Sequence, residues 1–132
     1  MRLRLSPYSA SYFDRYLSKN LVHSIKTLPY RVETGTGDTF DIEFPLHEET
    51  GDPVRVGQLV SELLSTIDRD VALFADTSNG DVLQAVSMVL AVRSGMVHAD
   101  IDTTGRLASQ LLSTALNAVA EAPRQVPQTG HA

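Results

Sequence analysis

The chain contains no cysteine and no tryptophan, and its only aromatic residues are four Tyr and four Phe. Without cysteine there are no disulfides, no thiolate nucleophile and no Cys-ligated zinc or iron–sulfur centre, a composition compatible with a reducing cytoplasm. No apolar run approaches the roughly 18 residues needed to cross a bilayer, so the sequence reads as a soluble protein. The first residues, MRLRLSPYSASYFDRY, are basic but lack a long apolar segment and a small-residue cleavage site, and are expected to belong to the fold. At 132 residues the length is that of one domain.

Lysine and arginine are missing from residues 32–52, where Glu33, Asp38, Asp41, Glu43, Glu48, Glu49 and Asp52 carry −7. Residues 1–31 are the reverse, with Arg2, Arg4, Arg15, Lys19, Lys26 and Arg31 against Asp14 alone, a balance of +5. The net charge of −5 therefore hides a basic block followed by an acidic one. Such a partition marks an interaction surface, or two blocks that neutralise each other within the fold.

Catalytic and cofactor signatures are lacking too. Gly35-Thr-Gly-Asp38 has the glycines of a phosphate loop, but no Lys-Ser/Thr follows and the next residues alternate like a strand. Seven carboxylates around it repel a phosphate, so the glycines read as a turn. No serine sits in Gly-x-Ser-x-Gly or Ser-x-x-Lys. No cofactor is implied. His98, Asp100 and Asp102 form the one local cluster of metal-ligand type, and turn and capping work explains the same residues between two helices. The acidic stretch 38–52 lacks EF-hand spacing.

Organisation is more legible. Arg2-Leu3-Arg4-Leu5 alternates as a short strand does. From Ser9 to Leu28 the apolar positions 12, 13, 16, 17, 21, 25 and 28 fall on one helical face, with Arg15, Lys19, His23 and Lys26 opposite and Pro29 as terminator. Two alternating runs over 30–45 form a hairpin, with Val32 opposite Ile42 and Tyr30 opposite Phe44. Helical spacing resumes over 54–75, although Asp68-Arg-Asp70 before VALF leaves 68–75 open to a strand alternative. Ser78 and Asp81 have capping-box spacing before an 81–97 helix that is apolar almost all round, either the centre of the core or a helix half covered by a second subunit. A last helix, capped by Thr103 or Thr104, turns Leu107, Leu111, Leu112, Ala115, Leu116 and Val119 inward and stops at Pro123; a disordered tail follows over 123–132.

These readings combine into a single α+β domain over 1–122, with about four helices on a small antiparallel sheet made of the 30–45 hairpin and the 2–5 strand. The functional expectation is a non-enzymatic protein-binding or regulatory module that forms a homo-oligomer or meets a protein partner, using Arg15, Lys19, His23, Lys26, Glu33, Asp41 and Glu43. A small enzyme, or a ligand- or metal-binding protein with a site assembled from distant residues, is the alternative. Nucleic-acid binding through the basic helix face is the third reading, disfavoured by the acidic whole.

Overall fold

The computed structural model describes residues 26–127. In chain order they form β1 (Thr27–Glu33), β2 (Thr39–Pro45), α1 (Pro53–Leu73), α2 (Asn79–Met96), α3 (Ile101–Glu121) and β3 (Arg124–Gln125). The class is α+β, built on a three-stranded antiparallel sheet in the order β1, β2, β3. Three helices are described, where the spacing predicts about four. The helix predicted over 9–28 and the strand over 2–5 lie outside the described residues, apart from positions 26–28.

Those three positions correct the predicted helix end, because Thr27 and Leu28 are already strand and Pro29 lies within it. Thr34 N–H donates to the Asp38 carbonyl at 2.9 Å and Leu46 N–H to the Lys26 carbonyl at 2.9 Å. Even-numbered β1 residues are thus the ones bonded to β2, and odd-numbered ones direct their backbone off the open edge. Pro29 is odd-numbered and β1 is an outer strand, so its missing N–H removes no ladder bond.

The hairpin register differs from the predicted one by two residues: Leu28 is opposite Phe44, Tyr30 opposite Ile42 and Val32 opposite Phe40. The turn is the cause. Gly37 N–H donates to the Thr34 carbonyl at 3.0 Å and Gly37 adopts φ +90°, which makes a three-residue loop with a glycine in the left-handed position. A slip of two leaves each side chain on its own face, so Leu28, Tyr30, Val32, Phe40, Ile42 and Phe44 still point inward and Arg31, Glu33, Asp41 and Glu43 outward.

The helices start where their caps dictate. Asp52 accepts from Arg55 N–H at 3.1 Å ahead of Pro53, and Ser78 Oγ accepts from Asp81 N–H at 3.1 Å. α1 runs unbroken to Leu73, so 68–73 is helix, and Phe74 N–H closes it on the Asp70 and Val71 carbonyls. α3 begins at Ile101, earlier than a Thr103 or Thr104 cap requires; both threonine N–H groups donate to the Asp100 carbonyl at 3.0 Å. Arg124 and Gln125, within the segment whose composition suggests a disordered tail, pair with Phe40 and Thr39. Arg124 is held there by Asp38 Oδ2 at 2.8 Å and by the Phe40 ring, 4.9 Å from its guanidinium.

α1 packs on β1, α3 on β2, and α2 on α3. Ile42, 5% exposed, is the one buried residue among the described residues. α2, a predicted core centre, contains none. No described helix is long and apolar enough to cross a membrane.

Gly37→Ala places a Cβ 3.2 Å from Pro127 Cγ at a φ that L-residues avoid, whereas a Cβ on Gly35 meets nothing within 4 Å. Gly37→Ala is expected to lose about 1–2 kcal/mol and Gly35→Ala less than about 0.5 kcal/mol. Urea-unfolding midpoints measure the difference; equal values would remove the left-handed turn.

Candidate functional site

The helices dock through their smaller side chains and leave their larger ones uncovered. α1 meets β1 at Gly57, where a Cβ would lie 3.5 Å from Leu28 Cδ1, and at Ser61, whose Oγ shares a 2.8 Å hydrogen bond with the Tyr30 hydroxyl. Gly57 and Ser61 are four apart and so lie on one helical face. The apolar stripe of Val56, Leu59, Val60, Leu63 and Ile67 lies about a third of a turn away from it, at 100° per residue. Periodicity does not say what that stripe meets; its start, Val56, lines a cleft shared with the β2–α1 loop and with Leu107 and Leu111 of α3. Farther along, Ile67 and Val71 face Val82, Ala85 and Val86 of α2 across a second cleft.

α2 repeats the arrangement. Toward α3 it presents Ser87, Leu90, Ala91 and Ser94, against Gly105, Ala108 and Leu112. The serine hydroxyls donate to their own helix, Ser87 to the Gln84 carbonyl at 2.9 Å and Ser94 to the Leu90 carbonyl at 2.8 Å, so neither needs a further partner. On the other side Met88, Val92 and Met96, spaced i, i+4, i+8, are 58%, 62% and 58% exposed, with Val89 beside them. In α3, Leu107, Leu111, Leu112, Leu116 and Val119, predicted to point inward, are all exposed in this chain; Ala115 is half-buried. The half-buried residues of α3 are Thr104, Gly105, Ala108, Ala115 and Ala118. The residues missed as surface were thus the large aliphatic ones, and the signal for them was the absence of a polar face on α2.

The charged residues singled out from the sequence divide. Arg15, Lys19 and His23 lie outside the described residues. Lys26 Nζ donates to the Thr50 carbonyl at 2.8 Å, joining the start of β1 to the loop before α1. Arg31 and Asp41, opposite each other in register, form a two-pronged pair at 2.8 and 2.9 Å. Glu33 and Glu43 are exposed on the same face. In this part of the basic and acidic blocks, opposite charges meet within one hairpin. Both members of the Arg31–Asp41 pair are open to water, so its value is geometric more than energetic.

His98, Asp100 and Asp102 stand exposed between α2 and α3, with Asp100 at the N-cap and Asp102 in the first turn of α3. Among the described residues no three His, Asp or Glu side chains converge on a point that could hold a metal ion. The feature with structural content is therefore the uncovered aliphatic surface. In comparisons with known proteins, no family model, no curated protein and no solved structure matches the chain.

The Arg31 hydrogen bond, aided by its charge, holds the Asp41 carboxyl below the ordinary aspartate value against a smaller opposing cost of desolvation. A carboxyl lowered by folding stabilises the fold above the unfolded-chain value of about 3.9, and that contribution disappears as pH falls through the lowered value. Carbon-detected NMR titration should find Asp41 below the ordinary range and Arg31→Ala should return it upward; an Asp41 titration unmoved by the substitution excludes the pair.

Proposed function

We propose that this chain is a non-enzymatic protein-binding module that self-associates through α2. The observation that carries the proposal is the ridge Met88, Val92, Met96, which points away from the α3 contact and has no cover among the described residues. A helix apolar on every side is stable in water only when every side is covered. α3 covers one side of α2; a second copy of the same ridge covers another, because a two-fold axis brings identical patches together. With Val89 and Val97 the ridge exposes on the order of 500 Å², a large part of the roughly 800 Å² per partner in an interface of standard size. Methionine suits such a surface, since its unbranched side chain adapts to the facing residues.

Light scattering on the eluting protein is expected to report a mass above that of one chain, falling on dilution. Met88→Glu/Val92→Glu places charges in the proposed contact and should weaken association at least about 100-fold, while leaving helix content unchanged because neither side chain is buried in the single chain. A strict monomer at high concentration, or a dimer indifferent to both substitutions, overturns the proposal.

A further inference from the structure

The α2 ridge is also where the chain keeps its sulfur. The sequence has three methionines and no cysteine. Met1 lies outside the described residues, while Met88 and Met96 flank Val92 at the two ends of the ridge, about 12 Å apart along the helix. Each is 58% exposed in the single chain. With no thiol and no indole to react first, the thioether sulfurs are the groups of this chain that a peroxide attacks most readily. Met96 has a further neighbour, since Arg93 Nη1 donates to its Sδ at 3.6 Å.

We propose that Met88 and Met96 are reversible oxidation sites through which a peroxide controls self-association of the chain. This role rests on the α2 contact proposed above and adds to it the chemistry that opens it. A sulfur lone pair attacks one peroxide oxygen, the O–O bond breaks, an S–O bond forms and water leaves; the sulfur loses two electrons and the peroxide gains them. The product is a sulfoxide, whose oxygen is a hydrogen-bond acceptor that water satisfies in the free chain. Between two copies of Met88, Val92 and Met96 its neighbours are apolar, so its burial there becomes costly. A two-fold contact holds each sulfur twice, which doubles the effect. At Met96 the added oxygen sits on the sulfur that Arg93 already approaches, and a charge-assisted bond from the guanidinium favours the separated chain further. Both side chains are exposed, so the oxidised chain keeps its fold. The contact in turn shields both sulfurs, so oxidation proceeds through the dissociated chain and traps it there. A dithiol-dependent reductase reverses the step, removing the oxygen as water while the dithiol closes to a disulfide.

Hydrogen peroxide added to the full chain supplies the test. Peptide mass spectrometry should locate one added oxygen on each of Met88 and Met96, formed more slowly as protein concentration rises. Light scattering should then show association weakened at least about 10-fold at unchanged helix content, and restored by methionine sulfoxide reductases of both epimer specificities with dithiothreitol. Met88→Leu/Met96→Leu, which keeps the volume and apolar character of the ridge, should associate as the parent does and ignore peroxide. If that variant does not associate, Met88→Leu and Met96→Leu taken singly supply the comparison, each with a smaller peroxide response than the parent. Association unchanged after both sulfurs are oxidised overturns the oxidation role and leaves the α2 contact standing. So does an equal peroxide response in the leucine variant, which places the responsible group elsewhere, and so does dissociation that comes only with loss of helix content. A chain that is monomeric before any peroxide is added overturns the contact and this role with it.

Discussion

Hydrophobic burial against the inner face of the β1–β2 hairpin is the interaction from which the rest of the fold is built. Ile42 is its centre, with Leu28, Tyr30, Val32, Phe40 and Phe44 half-covered around it. α1 and α3 each attach to one strand of that hairpin, and α2 packs mainly on α3. If the hairpin were lost, the helices would have no common floor. The turn at Gly37 therefore matters beyond its size, because it sets which residues stand opposite Ile42.

The same principle explains why the surface looks as it does. Small residues allow helices to approach closely, and Gly57, Ser61, Ala91 and Ala108 are the ones found where elements meet. Large aliphatic residues need volumes of matching shape, which residues 26–127 do not supply. At roughly 25 cal/mol per Å² of apolar area, leaving such stripes in water forgoes several kcal/mol, comparable with the whole net stability of a domain. A chain with this pattern gains by covering them, which is the physical ground for the proposed contact between copies of α2.

Electrostatics has a smaller part. The acidic hairpin face is offset locally, Asp41 by Arg31 and Asp38 by Arg124. Arg124 also ties β3 to the hairpin, stacking on Phe40 while its ion pair reaches Asp38. Composition alone reads the segment after Pro123 as disordered because it lacks apolar residues. At Arg124 and Gln125, one guanidinium with both a carboxylate and an aromatic face holds the backbone in a strand.

The amino-acid sequence by itself determined the α+β class, the inward and outward faces of the hairpin, the cap at Ser78 and the helical state of α1 up to residue 67, because each follows from local periodicity or from a side chain reaching its own backbone. It also contained the warning that α2 has no polar face. Pairing register, the strand at Arg124 and the direction each apolar stripe takes were decided only in three dimensions. A register shift of two preserves every alternation, so patterning is blind to it. A helical stripe says that one face is apolar but not which neighbour it will meet; Gly57 and Ser61, unremarked in the sequence, took the sheet and left Val56, at the start of the stripe, lining the cleft beside α3.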